Sequence, residues 1–235
     1  MWDTEIRTNL DDIRTRVDAA AAASPYGQSV QVLLATKTQP AEKIRVALEH
    51  GFTLIGENRV QELVAKFDEL ADIAHESHLI GPLQKNKVNH TLGRASCIQS
   101  IDDPGLAEKI QRRLDVLDST VEYFVQVNTS REDSKSGVAP EAAAELVRAL
   151  APLDRMRLRG RMTIGLPGEP AAQNRPCYAA LRTLRDQLHA DGLLDDTALE
   201  LSMGMSGDFE LAISEGATMV RVGSSVFGAR PKPTV

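Results

Sequence analysis

Cysteine is scarce, with two in 235 residues. That excludes a disulfide scaffold and a structural zinc site built on four thiolates, and it predicts a chain folded in a reducing compartment, the cytoplasm. A basic excess is also missing. Lys and Arg total 27 against 33 acidic residues, a formal charge of −6, so no polyanion-binding surface and no nucleic-acid partner are expected. Apolar runs fall far short of the roughly 18 residues that span a bilayer, so no membrane helix is expected. Residues 1–18 carry acids throughout, with no basic segment followed by an apolar one, and are not read as a signal peptide. What is present is 42% hydrophobic and 26% charged residues, the balance of a globular protein. No Pro/Gly/Ser-rich linker or low-complexity segment divides the sequence, which predicts one domain over 1–235.

Short apolar runs alternate with longer helical patterns. A leading helix is predicted over Asp3 to Ala23, with Ile6, Leu10, Ile13 and Val17 on one face. Ser24-Pro25-Tyr26-Gly27 ends it, and a first strand follows over Val30 to Ala35. Further strands are predicted to begin near Thr53, His78, Cys97, Glu122, Leu158, Leu199 and Thr218, each followed by a helix. Strict alternation predicts a parallel sheet with helical crossovers. Eight such units make a (β/α)8 TIM barrel with an extra N-terminal helix. The rival, a doubly wound open sheet, would carry a glycine-rich turn after its first strand. That turn here reads Ala35-Thr36-Lys37-Thr38-Gln39-Pro40, without glycine.

In such barrels chemistry sits at the C-terminal ends of the strands. Lys37 directly follows strand 1, where an apolar barrel mouth would favour its neutral, nucleophilic amine. The ends of strands 7 and 8 read Ser202-Met203-Gly204-Met205-Ser206-Gly207 and Arg221-Val222-Gly223-Ser224-Ser225. Glycines there let backbone approach an anion, and serine hydroxyls with nearby amides donate to it. Strands 8 and 1 are neighbours in a closed barrel. A ligand with a phosphate at one end and an aldehyde at the other would span them, and pyridoxal 5′-phosphate is such a ligand.

Six ordered stretches carry a resemblance. They are Ala35–Pro40, Gly56-Glu57-Asn58-Arg59-Val60-Gln61-Glu62, His78–Lys87, Ser134-Lys135-Ser136-Gly137, Leu201–Ser206 and Arg221–Arg230. The sequence resembles the pyridoxal phosphate homeostasis proteins. The resemblance implies one barrel similar to the N-terminal domain of alanine racemase, the type III fold of pyridoxal-phosphate proteins. It implies that Lys37 holds the cofactor as a Schiff base, that Asn58 lies beside the ring, and that Ser206, Gly223 and Ser224 hold the phosphate, with Ser202 in the same set. Arg221 would face the pyridine nitrogen. A fixed cation there disfavours ring protonation and weakens the ring as an electron sink. The implied role is binding and buffering of vitamin B6 with effects on amino-acid balance, without robust catalysis. Apo-enzymes that need the cofactor are its implied recipients.

The alternative is a minimal pyridoxal-phosphate-dependent amino-acid racemase. Two-base racemisation needs a second base. Of three tyrosines, Tyr26 and Tyr178 are expected away from the mouth and Tyr123 at the wrong end of strand 5. An aldolase using Lys37 on a sugar phosphate is a further rival, opposed by the shortage of acids at the strand ends. No added β domain follows the barrel motifs, and a monomer is expected. His75 and His78 lack the spacing of a metal pair on continuous helix, and no metal is predicted. Lys135 is a candidate for capping the mouth, and Leu166–Ala171 for a lid. Arg155, Arg157, Arg159 and Arg161 alternate with less polar residues, so period 2 places all four on one face. Either strand 6 begins later than Leu158 or Arg161 meets a carboxylate behind the barrel.

Overall fold

Four apolar side chains, Ile6, Leu10, Ile13 and Val17, form the buried stripe of α1 (Trp2–Ala23). Their 3–4 spacing puts them on one helical face. In the computed structural model, which describes residues 2–132, 135–166 and 169–228, that stripe packs outside a closed barrel of eight parallel strands ordered β1 to β8. The strands are β1 Gln31–Ala35, β2 Leu54–Glu57, β3 Glu76–Leu79, β4 Cys97–Ile101, β5 Val121–Gln126, β6 Met156–Met162, β7 Glu200–Met205 and β8 Met219–Val222. Between them run α2 Ala41–Glu49, α3 Val60–Phe67, α4 Val88–Thr91, α5 Pro104–Leu117, α6 Ala143–Leu150, α7 Arg175–Ala190 and α8 Phe209–Ser214, and α9 Ser224–Phe227 follows β8. The chain therefore has the (β/α)8 fold with a leading helix. α1 contacts α2, α8 and α9, the helices flanking the seam where the first and last units meet.

Each strand sends alternate side chains to opposite sides. Leu33, Leu54, Cys97, Phe124, Met162 and Met219 form an inner cluster within the barrel. Leu34, Ile55, Leu79, Ile98 and Val220 belong to the larger layer between strands and helices. Each fully buried Leu or Ile contributes roughly 1.5–3 kcal/mol, so both layers favour closure. Local signals fix the helix ends. Asp103 caps α5, accepting from the amides of Gly105 and Leu106, with Pro104 in the first turn.

The sequence pattern after the second strand predicts a helix from about Arg59 to Ala74, and the observed one is shorter. α3 stops at Phe67 and a 3-10 turn covers Asp68–Leu70. Strand 6 starts at Met156, earlier than expected, so a late start does not account for Arg161. The period-2 expectation for its arginines fails because the β5–β6 register shifts between Tyr123 and Phe124. Tyr123 pairs with Leu158 but Phe124 with Gly160, which leaves Arg159 as an extra residue on β6. Arg159 reaches Glu122 at 2.9 Å and Glu200 at 2.8 Å, and lies over the Phe124 ring. Arg155 pairs with Asp118 at 2.8 Å.

Arg161 is fully buried and meets no carboxylate among the described residues. Nη1 donates to the Ala198 carbonyl at 2.6 Å, while Nε and Nη2 have no partner among the described residues. Burial lowers its pKa to about 10. A buried cation with one neutral acceptor costs stability, and an apolar side chain of similar length avoids that cost. Arg161→Met is therefore expected to raise the unfolding free energy by about 1–2 kcal/mol, measured as a higher urea midpoint at unchanged slope. An unchanged or lower midpoint would contradict this account.

Candidate functional site

The pairing of β1 with β8 sets Leu33 opposite Arg221 and Leu34 opposite Val222. The turns leaving these two strands must therefore emerge side by side. They enclose a cavity of about 330 Å³ at the C-terminal end of the barrel, within the size range of small-molecule sites. Lys37, Asn58, Ser206, Arg221, Gly223 and Ser224 line it together. Ser202 does not. It is fully buried one layer below, where its hydroxyl donates to Gln99 Oε1 at 2.7 Å and accepts from Arg221 Nη1 at 2.9 Å. Its place immediately before Met203, which faces the outer layer, points it into the barrel interior on an alternating strand.

The segment carrying Lys37 is held on both sides. Thr36 is buried; its hydroxyl donates to Glu57 Oε1 at 2.6 Å and its carbonyl accepts from Lys66 Nζ at 2.9 Å. Thr38 stands in the left-handed region, φ 65°, unusual for a β-branched residue. Its amide donates to Glu62 Oε2 at 2.6 Å. Such a conformation costs about 1–3 kcal/mol and persists only when neighbours over-determine it. Lys66 completes the clamp, 2.7 Å from Glu57 and 3.6 Å from Glu62. Burial raises the Glu57 pKa, and Lys66, followed by Thr36, opposes the rise.

Close backbone approaches shape the rest. A Cβ on Gly223 would lie 2.8 Å from the Ala35 carbonyl oxygen, and one on Gly81 would lie 2.1 Å from that of Asn58. Glycine at these two places lets β8 abut β1 and seats Asn58 at the rim. The Gly81 carbonyl accepts from the buried Ser100 hydroxyl at 2.8 Å. Ser206 Oγ accepts from the Gly223 amide at 3.0 Å and lies 3.0 Å from Ser225 Oγ. Amides and hydroxyls from two loops thus converge on one point, a donor set suited to an anion.

Arg221 is buried, and its Nη2 donates to the Thr163 carbonyl at 2.7 Å. Burial lowers its pKa to about 10, opposed by Tyr178 and Asp208, so it stays cationic at neutral pH. Tyr178 lines no part of the cavity but backs it more closely than expected. Its hydroxyl donates to Asp208 Oδ2 at 2.7 Å, and Asp208 Oδ1 accepts from the Met205 amide at 2.7 Å. It therefore buttresses the loop that carries Ser206. Burial, then Asp208, pushes the Tyr178 phenol upward. Tyr123 is buried with a pKa raised to about 12, and Tyr26 is exposed on the far face against Arg182.

Sequence reasoning missed Gln39, Ile80 and Ile164 in the lining. Gln39 lies within the quoted Ala35–Pro40 stretch, so a signal was there. Lys66 went unnoticed too; its i,i+4 spacing from Glu62 was the available sign. Lys135 is partly exposed and lies 3.6 Å from Glu132. Ser134, part of the lid segment (Pro167 and Gly168) and Ala229–Val235 lie outside the described residues. His75 Nδ1 donates to the Ile73 carbonyl at 2.8 Å, whereas His78 is buried inside the barrel.

Fold and site together define a barrel of the alanine racemase N-terminal type, and the sequence profile described as "Alanine racemase, N-terminal domain" matches residues 8–231. The chain is 40% identical over 223 residues to the pyridoxal phosphate homeostasis protein of Aquifex aeolicus, covering 94% of this chain and 96% of the relative. It is 39% identical to that of Pseudomonas aeruginosa, covering 96% of each. The chain belongs to the pyridoxal phosphate homeostasis protein family. Among solved structures, PipY of Synechococcus elongatus with pyridoxal phosphate bound superposes with a TM-score of 0.81 at 34% identity, covering 95% of this chain and 100% of PipY. An alanine racemase of Clostridium difficile shares the fold at a TM-score of 0.74 and 14% identity, covering 98% of this chain and 57% of the racemase.

Lys66→Met would leave the Glu57 carboxylate buried beside Thr36 without its cation. Breaking such a pair costs about 3–5 kcal/mol. The raised Glu57 pKa means the folded state holds its proton where the unfolded chain has released it. The group's favourable contribution is therefore present at low pH and lost as pH rises through the folded value. The loss in Lys66→Met is expected to be larger at about pH 8 than at about pH 5. Denaturant titrations of both proteins at both pH values check it, and a pH-independent difference would contradict the clamp.

Proposed function

We propose that this chain binds pyridoxal 5′-phosphate in the barrel-mouth cavity and takes part in intracellular vitamin B6 and amino-acid homeostasis as a carrier rather than a catalyst. One observation carries the reading: a single cavity joins Lys37, from the end of β1, to Ser206, Gly223 and Ser224 in the two last loops. An amine and an anion-binding donor set in one cavity match the aldehyde and phosphate of the cofactor. The close approach of Gly223 to Ala35 and the convergence on Ser206 Oγ fit a compact anionic group. The family and the pyridoxal phosphate held by PipY support the same ligand.

In this reading Lys37 Nζ forms a Schiff base with the aldehyde carbon, and the aldehyde oxygen leaves as water. Ser206, Ser224 and the Gly223 amide orient the phosphate. Asn58 stands at the ring's side and Arg221 at its nitrogen. The bound cofactor would supply an electron sink, which a neighbouring cation weakens by keeping the ring nitrogen unprotonated. Among the described residues lining the cavity none is a tyrosine, histidine, cysteine or carboxylate. Among these described residues none is a second proton-transfer group beside Lys37, which supports holding the cofactor over racemising an amino acid.

Purified protein incubated with pyridoxal phosphate is expected to show the visible absorption of a Schiff base. Borohydride reduction should then add the reduced pyridoxyl mass to the peptide containing Lys37. Lys37→Ala, folded by circular dichroism, should lose both signals, and retention of either ends the assignment. Incubation with a panel of L-amino acids should yield no inverted or decarboxylated product; turnover of any of them would establish the racemase or decarboxylase alternative instead.

A further inference from the structure

A chain of buried polar groups runs down the barrel interior from the cavity. Arg221 Nη1 donates to Ser202 Oγ at 2.9 Å, and Ser202 Oγ donates to Gln99 Oε1 at 2.7 Å. Gln99 Nε2 faces His78 Nδ1 at 2.8 Å and the sulfur of Met219 at 3.1 Å. Ser202, Gln99 and His78 are all fully buried.

The polarity of this chain follows from the orientation of the Gln99 amide, whose nitrogen lies against the Met219 sulfur, a weak acceptor. A guanidinium only donates, so Ser202 Oγ must accept from Arg221. The one hydroxyl proton of Ser202 is then available to Gln99, whose carbonyl oxygen faces it at 2.7 Å. The Gln99 amide nitrogen consequently faces His78, and His78 Nδ1 must be the unprotonated acceptor. His78 is thus neutral, with its proton on Nε2, which points toward Glu76 at 3.7 Å. Other charged groups near it are Arg159 on β6 and Glu122 on β5. Burial lowers the His78 pKa, in keeping with a neutral ring.

We infer that Gln99 and His78 are positioning residues for Arg221, acting through Ser202 in a hydrogen-bond relay of fixed direction. Without the relay, Ser202 Oγ can turn its proton toward the guanidinium and Arg221 loses one of its two fixed acceptors. The significance for the ring nitrogen rests on the cofactor reading above; the relay itself does not.

Two measurements test it. Long-range proton–nitrogen NMR on the histidine-labelled full chain, without cofactor, reads the tautomer of His78, identified by its loss in His78→Phe. The expected state at neutral pH is the Nε2–H tautomer with Nδ1 unprotonated. A proton on Nδ1, in either the other tautomer or the imidazolium, overturns the relay whether or not any variant folds. The second measurement uses Gln99→Met, of similar length, and Gln99→Glu, which still accepts from Ser202. With pyridoxal phosphate bound, Gln99→Met is expected to bind about tenfold more weakly, the worth of one charge-assisted hydrogen bond, and to shift the visible absorption maximum. Gln99→Glu should restore the wild-type maximum, which a packing role would not predict. A folded Gln99→Met with wild-type affinity and spectrum overturns the positioning role. Failure of the wild-type chain to take up pyridoxal phosphate, with the His78 tautomer as expected, would sink the cofactor reading and leave the relay standing.

Discussion

Everything at the barrel mouth depends on the hydrogen bonding of β1 to β8. These strands lie at opposite ends of the barrel sequence, and only closure sets Leu33 beside Arg221 and Leu34 beside Val222. An open sheet built from the same strands would leave Lys37 on one edge and Gly223 on the other. The apolar layers inside and outside the strands favour closure. α1 reinforces it by packing across α2, α8 and α9 over that seam. Its Asn9 donates to the Val226 carbonyl at 3.0 Å, tying the first helix to the turn after Gly223. The leading helix thus belongs to the site's support although it contributes nothing to the cavity lining.

Closure also explains why the barrel tolerates charge inside. Its lower end holds Arg159 against Glu122 and Glu200, an arrangement in which each ion has a partner. Near the mouth, Arg221 is treated differently. Its described hydrogen bonds go to a serine hydroxyl and a backbone carbonyl, both neutral. Asp208 acts on it from further off and is itself occupied by Tyr178, Asn174 and the Met205 amide. The positive charge of Arg221 is therefore fixed in direction without being neutralised by a hydrogen-bonded carboxylate. A charge buried in this way acts strongly on whatever lies beside it.

The architecture was legible because it rests on short-range pattern. Alternating apolar runs and helical periods, each closed by Gly or Pro, identify β/α units one at a time, and eight of them imply a barrel. Lys37 and the stretches around Ser206 and Arg221 could be placed at the mouth because strand ends can be located from those same runs, whereas Asn58 and the individual contacts came from the family resemblance. What escaped depends on register. The extra residue at Arg159 separates four arginines that period 2 would align, and no local signal marks that bulge. Ser202 shares its stretch with Ser206, yet strand alternation and the Gly204 turn, φ 91°, send one to the interior and the other to the rim. The Glu57–Lys66–Glu62 clamp joins a strand end to a helix interior, and only the packed fold brings its members onto Thr36 and Thr38.

The placement of proton-carrying groups bears on the proposed carrier role. The clamp fixes the backbone on either side of Lys37, and the Thr38 conformation shows that this placement is maintained against local strain. Tyr178, the tyrosine nearest the mouth, has its hydroxyl committed to Asp208 and its phenol pushed upward by burial. A phenol so placed is a poor base at neutral pH. Glu57, buried at the end of β2, is engaged by Thr36 and Lys66. The acids and phenols around the site hold its loops in shape, and the groups left facing the cavity donate hydrogen bonds or carry positive charge. On the carrier role proposed above, such a lining would favour holding an anionic aldehyde over moving a proton on it.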